Sequence, residues 1–378
     1  MLTSIYPDLR SFHDLAERFA GNELAPRREE HDRYPFGPFF SDTLKRAYEA
    51  GFLGITLPED LGGIGQGTAT LCVVLETISR ADASLAGIMF TTALAQEILM
   101  RGNAREQIRT IVDNAVEAAE TVIACPSFAN PAETPPTVFA REEDGRHILF
   151  GTCDYLVLGG IARYGLVPAR MRGRKGYSFF MVDLSLPQVR KSGPVVSLGL
   201  HACPAVDVQL QDAEGTLVGD TGGGAALFER AADRMHIAAG AMACGIMKGS
   251  FTEALAYAGE RFQGGREIIK WSELRMILAK MSVSVDVAEA ALTSACMAVQ
   301  QELPGWESLS RAVAIRLQDD ACEVTTDGIQ VLGGYGYMKD YGQEKRFRDA
   351  KQVQALLGCA PMKKLKYLNG LEDYGLGD

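Results

Sequence analysis

The sequence predicts a mainly α-helical fold with a central β domain, in the order helices, strands, helices. Three observations predict it. Apolar residues recur at spacings of three and four in the first 120 residues and again from Ala225 onward, the period of helices with one buried face. Between these stretches lie short runs, most of them rich in β-branched and aromatic residues, separated by Gly, Pro, Asp and Asn, as in short strands joined by turns. Gly222-Gly223-Gly224 then closes the middle segment. The expected division is an N-terminal helical domain over 1–120, a middle β domain over 121–220 and a C-terminal helical bundle over 221–378.

In the first segment Phe12, Leu15, Phe19 and Ala20 mark one helical stripe, and Leu44, Ala47, Tyr48 and Gly51 a second. Longer helical runs cover Thr68–Arg80 and Ser84–Met100, and Pro58–Gly63 is a break ahead of them. In the middle segment the runs Thr121–Ala124, His147–Gly151, Tyr155–Leu158, Tyr177–Asp183, Gln188–Arg190 and Val206–Gln211 predict antiparallel strands. The third segment predicts helices over Ala225–Gly259, Trp271–Gln301 and Leu309–Leu332. Gly264-Gly265, Pro304-Gly305 and Gly333-Gly334 punctuate them.

Composition narrows the function. With 47% apolar and 23% charged residues the chain is an ordinary soluble globular protein. A net charge of −10 argues against a nucleic-acid or anionic-membrane partner. The first twenty residues carry no secretory pattern. The longest near-apolar stretch, Ile237–Met247, is far short of a membrane span, so none is expected. Eight cysteines stand singly, without metal-ligand spacing or a disulfide framework. Buried thiols in a reducing cytoplasm are the expectation, and no metal. No GxGxxG, P-loop or Ser–His–Asp arrangement occurs in a context that would support it.

Four ordered strings carry a resemblance to a known family. They are GFLGITLPEDLGGIGQG (51–67), LETISRADASLA (75–86), EALAYAGERFQGG (253–265) and DGIQVLGGYGYMKDYGQEKRFRDAK (327–351). Together they resemble the acyl-CoA dehydrogenases across almost the whole chain. The resemblance implies N-terminal helices, a β-barrel-like middle domain and a C-terminal four-helix bundle that builds a tetramer. It also implies FAD at a subunit interface. In the family a Glu takes the α-proton of an acyl-CoA while the β-hydrogen leaves as hydride to the flavin. Electrons then pass to an electron-transferring flavoprotein.

Carried over residue by residue, the resemblance exposes departures. The family's catalytic Glu falls at Leu357, and the alternative Glu position falls at Met235, beside His236. Neither side chain accepts a proton, and a positioned base is typically worth about 10²–10⁴ in rate. Asp233 is the fallback, two residues and about 200° round a helix from the second position. Flavin contacts made within one subunit fall at Cys125–Pro131 and Tyr155-Leu156-Val157. There the ring-binding hydroxyls are lost, although Tyr155 keeps an aromatic surface, and Pro131, Pro135 and Pro136 remove backbone donors. Contacts made across the interface are kept as Arg261, Gln330, Gly333 and Gly334. A planar guanidinium suits a diphosphate, and glycines allow close backbone approach. The aromatic expected three residues after Arg261 is Gly264. Arg346, Arg348 and Asp349 read as a structural ion network.

Two main readings follow. In one, the chain lacks the base and completes the FAD site of a second family subunit in a heteromeric acyl-CoA dehydrogenase. In the other, it is a self-sufficient homotetramer with a displaced base such as Asp233. A flavin-free CoA-binding or structural descendant remains a third. The acyl substrate is not legible.

Overall fold

The computed structural model describes residues 2–5, 7–33 and 39–371. In the first segment α1 (Leu9–Phe19) and α2 (Phe39–Glu49) carry the two predicted stripes. Gly51 lies beyond α2 and turns the chain at φ 78°, a backbone region that favours glycine. Next come α3 (Thr68–Ala81), α4 (Ala83–Arg101) and α5 (Arg105–Asn114). Asp82 starts α4 by accepting the Ser84 N–H at 2.7 Å, satisfying one of the donors a helix start leaves open. Helix α4 is buried on nearly every side, as expected of an apolar helix at the centre of a fold.

The middle segment forms seven strands: β1 (Ile123–Ala124), β2 (Phe139–Glu143), β3 (Arg146–Val157), β4 (Tyr164–Met171), β5 (Ser178–Asp183), β6 (Val189–Lys191) and β7 (Ala205–Val218). Pairings β2–β3, β3–β7, β7–β5, β5–β4 and β4–β2 return to their start, closing a five-stranded barrel. Strand β1 extends β4, and β6 lies on β7. Three expectations are corrected. The runs at 147–151 and 155–158 are one strand, β3, whose register shifts twice against β7, because irregularities at Leu149/Phe150 and Cys153/Leu156 break its alternation. Strands β2 and β4 were not predicted: β2 is a charged FAREE string, and β4 contains Gly165 and Pro168, which read as turn residues. The sheet is not wholly antiparallel, since β4 runs parallel to both β1 and β2.

The third segment opens with α6 (Gly224–Glu260), whose 37 residues span about 55 Å. A small hairpin, β8 (Phe262–Gln263) and β9 (Arg266–Glu267), leads to α7 (Ser272–Gln300), α8 (Trp306–Leu332), α9 (Gln343–Val353) and α10 (Ala360–Leu371). Helix α6 packs on α3, α4, α7 and α8 and is the spine joining the helical segments. The barrel docks on its first turns. Phe179 of β5 stacks on Phe228 with ring centroids 6.4 Å apart, and a Cβ on Gly224 would lie 2.5 Å from the Tyr177 ring.

By length and composition, α4 and α7 are both apolar enough to cross a membrane, which corrects the expectation that Ile237–Met247 is the longest such stretch. The most apolar window of α4 is 89% buried inside the protein, that of α7 44%. Helix α4 is therefore a core helix. Seven of the cysteines are buried and Cys359 is exposed, and all eight are free thiols.

Candidate flavin-binding half-sites

Buried charges tie the three segments together. Asp32 from the N-terminal segment pairs with Arg348 at 2.6 Å and with His201 at 3.0 Å. Lys345 lies between Asp82 (3.2 Å) and Asp349 (2.6 Å), and Asp349 also accepts the Leu200 N–H at 2.8 Å. Arg346 donates to Glu253 and to the Arg80 carbonyl. Burial alone would raise the Asp32 carboxyl; the His201 hydrogen bond and Arg348 override it and hold the group down at about 2. Arg346, Arg348 and Asp349 are thus spent on the scaffold.

One cavity, of about 620 Å³, lies between the Pro126–Val138 loop, strand β3 and the start of α10. The Leu356–Cys359 turn packs against it. Leu357, where the resemblance puts the family's Glu, is 2% exposed with φ 65°. Its N–H donates to the Ser127 carbonyl at 2.8 Å, and it lines neither large cavity. The Ser127 hydroxyl faces away from the cavity and shares a buried 2.8 Å hydrogen bond with Thr91. Tyr155 stands beside this cavity at a β3 bulge with φ 53°. Its N–H donates to Asp207, its hydroxyl accepts from Gln352 at 3.0 Å, and its ring meets Phe128 edge-on.

A carboxylate that sequence reasoning missed reaches this turn. Glu133 Oε2 accepts the Cys359 N–H at 3.0 Å, while Oε1 is buried without a hydrogen bond and lies 3.9 Å from Lys366 Nζ. Glu133 therefore occupies a backbone donor at the start of α10. The only sequence signal was an acid set among prolines. Beneath the turn, Lys363 donates to the Gln354 and Leu356 carbonyls and to Gln318; burial pushes its ammonium down to about 8.

Asp233 does not reach this cavity. It pairs with Arg311 at 2.8 Å; burial raises its carboxyl and Arg311 partly offsets that. Met235 lines a separate small pocket with Glu97 and Arg234. His236 is buried, and burial with Arg311 and two lysines pushes it well below its usual range, so it is neutral.

The second cavity, of about 870 Å³, gathers Arg261, Gln330, Gly333 and Gly334 at the junction of α6, the β8–β9 hairpin and the end of α8. It shares no lining residue with the first, so Arg261 and Tyr155, which stands beside the first cavity, are at separate places on the chain. The Arg261 guanidinium lies over the Tyr335 ring at 5.2 Å. Among the described residues neither Glu260 nor Glu267 pairs with it, and Glu267 is held by Lys270 at 2.5 Å. A Cβ on Gly333 or Gly334 would meet nothing within 4 Å, so the turn faces open space. An unpaired guanidinium, an amide and an open Gly-Gly turn fit a diphosphate. The first cavity fits an anionic group less well, because its prolines lack N–H groups and Glu133 holds the Cys359 donor. Among the described residues no group of three or more His, Cys, Asp and Glu could hold a metal.

The fold is that of an acyl-CoA dehydrogenase-type flavoprotein, as comparison with known proteins shows. The N-terminal domain of acyl-CoA dehydrogenase matches residues 7–117 and the C-terminal domain residues 222–365. The chain belongs to the acyl-CoA dehydrogenase family, whose members are FAD-dependent oxidoreductases. It is 27% identical to cyclohexane-1-carbonyl-CoA dehydrogenase of Geobacter metallireducens over 95% of this chain and 96% of that one. It superposes on butyryl-CoA dehydrogenase of Megasphaera elsdenii with a TM-score of 0.86 at 23% identity, covering 96% and 97% of the two chains. An acyl-CoA dehydrogenase of Bacillus anthracis complexed with FAD gives 0.88 at 21% identity, covering 98% of this chain and 68% of that one.

Proposed function

We propose that this chain is a base-deficient subunit of a heteromeric, FAD-dependent acyl-CoA dehydrogenase, and that its Arg261–Gly334 cavity completes the FAD site of a catalytically competent partner. One observation carries the reading: the two half-sites have diverged. The half that would face a neighbour's cofactor keeps an unpaired guanidinium and an open Gly-Gly turn. The chain's own half has Leu357 where a base belongs and a carboxylate on its backbone donor. The exposed apolar positions Met276, Val283 and Val287 on α7 support association with further subunits. Bound in such a site, held by Arg261, Gln330 and the Gly333-Gly334 turn of this chain, FAD would supply the hydride acceptor for α,β-desaturation of an acyl-CoA. This chain's residues bind and orient, and an electron-transferring flavoprotein is the expected acceptor. A cytoplasmic location agrees with the free thiols.

The test is flavin content. Expressed alone, the chain should purify colourless, and co-expression with a family member carrying the intact Glu should yield a yellow complex. Arg261→Ala should then lower flavin retained by the complex. About one FAD per chain in the protein expressed alone would overturn the reading.

A second reading, a self-sufficient homotetramer, is favoured by Glu133 rather than by Asp233. Its carboxylate stands against the Gly358-Cys359 turn, in the first cavity, whereas Asp233 faces Arg311. On that reading Glu133→Gln abolishes turnover by the isolated chain; unchanged turnover would refute it.

A further inference from the structure

The loop joining β6 to β7, residues 192–204, contains no Asp, Glu, Lys or Arg. Its titratable side chains are His201 and Cys203, and burial pushes the Cys203 thiol up, so it stays protonated. His201 is therefore the one group of this loop whose charge changes between about pH 6 and pH 9. The loop is held from two sides. On α9, Asp349 accepts the Leu200 N–H, and a Cβ on Gly199 would lie 2.4 Å from the Arg348 carbonyl oxygen. On the N-terminal side, His201 meets Asp32, just beyond the Arg28–His31 helical turn.

Both ring nitrogens of His201 face acceptors. Nδ1 lies 2.8 Å from the Asp32 carbonyl oxygen and 3.0 Å from its carboxylate. Nε2 lies 3.0 Å from the Ser197 carbonyl oxygen. A carbonyl never donates and a neutral imidazole has one N–H, so only the imidazolium satisfies both ends. The other neighbour of Nε2 is Arg348 Nη1, at 3.4 Å. Both protons of Nη1 already go elsewhere, to Asp32 and to the Leu198 carbonyl, so Nε2 is a donor. Burial opposes the charge on His201, but the hydrogen bonds to Asp32 override it and the nearby Arg348 charge, and raise the group above its ordinary 6.5. The surrounding groups keep their charges over the same range: Asp32 is held down at about 2, Arg348 pairs with Glu344, and Lys345 with Asp349. His31, next to Asp32 in the chain, pairs with Asp82.

We propose that His201 is a pH-operated latch: its imidazolium pins residues 197–201 to the N-terminal segment, and loss of its proton to water frees them. If the neutral ring keeps Nδ1–H for Asp32, the lone pair of Nε2 faces the Ser197 carbonyl oxygen at 3.0 Å, so it cannot hold both ends. The latch is fully closed below 6.5 and opens as pH rises through the raised value. The stretch it holds includes Leu198, with Val196 beside it, 53% and 78% exposed. A closed latch thus fixes an apolar loop tip in solvent.

The ring is read directly by proton–carbon NMR of the full chain between pH 5 and pH 9, its signal identified among five histidines by its absence from His201→Gln. The midpoint should lie above 6.5, and Asp32→Asn should lower it. Loop release is read by hydrogen exchange of residues 192–204, corrected for the intrinsic pH dependence of exchange. Protection should fall between pH 6 and pH 8.5, by about tenfold for each unit by which the midpoint exceeds 6.5. In H201Q it should not vary with pH. A midpoint at or below 6.5 would overturn the proposal. So would loop protection in the unsubstituted chain that stays constant across that range, which would make His201 a fixed strut. The exchange measurement on the unsubstituted chain needs no variant, so it decides the matter even if H201Q fails to fold.

Discussion

Lys345→Met is the sharpest test of what holds the three segments together. Lys345 is buried between two buried carboxylates, Asp82 at 3.2 Å and Asp349 at 2.6 Å. Each acid has a structural duty of its own: Asp82 caps α4, and Asp349 accepts the Leu200 N–H from the loop before β7. Burial opposes the charge on Lys345, yet the two acids raise its pKa. Methionine keeps most of the volume and deletes the charge. Two carboxylates are then left in a low-dielectric site without their cation, a loss typically worth about 3–5 kcal/mol. At roughly 2.1 cal/mol/K per residue, 378 residues give an unfolding entropy near 0.8 kcal/mol/K, so the midpoint should fall by about 4–6 °C if one transition is seen.

The assay is thermal unfolding followed by circular dichroism at pH 7.5 and pH 5. Unpaired buried carboxylates take up protons readily, so the deficit should shrink at the lower pH. It should also shrink in the Asp82→Asn, Lys345→Met double variant, which removes one stranded charge. A deficit below about 1 kcal/mol, or one of equal size at both pH values and in the double variant, would refute the electrostatic account. The loss would then be one of packing.

Three further outcomes are expected. Asp32, held at about 2 against an ordinary 3.8, contributes stability that is present above pH 4 and lost as pH falls through 2; the shift corresponds to about 2 kcal/mol, and Asp32→Asn should flatten that acid limb in urea titrations. Gly224→Ala sets a Cβ 2.5–2.6 Å from the Tyr177 ring and carbonyl where the barrel meets α6, and should cost about 1–3 kcal/mol in chemical denaturation. Leu357→Glu, which puts a carboxylate at a buried position, should leave the chain inactive when expressed alone, assayed with a panel of acyl-CoAs and a dye acceptor; turnover would show that only the base was missing.

Helical segments were legible because α3, α4, α6 and α7 are long and their apolar period repeats over many turns. Strands depended on their surroundings. Strand β2 places Phe139 and the acids of FAREE toward solvent, and β4 accommodates Pro168 opposite Phe179, so neither shows the alternation that marks a half-buried strand. Barrel closure was implied by the family resemblance alone and not by the strand pattern, since it depends on which distant edges meet. The same holds for the site. Arg261, Gln330, Gly333 and Gly334 could be carried over from one string and its neighbour, and they converge in one cavity. Glu133 could not, because a loop brings it to the Cys359 N–H, more than two hundred positions away in the chain.

The strings that identify the family also explain how the resemblance stays strong under the proposed loss of the base. In RADAS, Asp82 caps α4 and meets Lys345. In KRFRDA, Arg346 holds the Arg80 carbonyl and Glu253, Arg348 holds Asp32, and Asp349 holds Lys345 and the Leu200 N–H. These residues are buried charges with several partners each, and removing any one strands the others, so their identities are fixed by folding itself. Leu357, Cys125 and Tyr155 lie under no such constraint: a leucine fits the buried turn, a thiol packs as a small hydrophobe, and Tyr155 is satisfied by Gln352 and Asp207. A chain of this fold can therefore lose its own catalytic half-site at little cost in stability while keeping the scaffold that presents the other half to a neighbour.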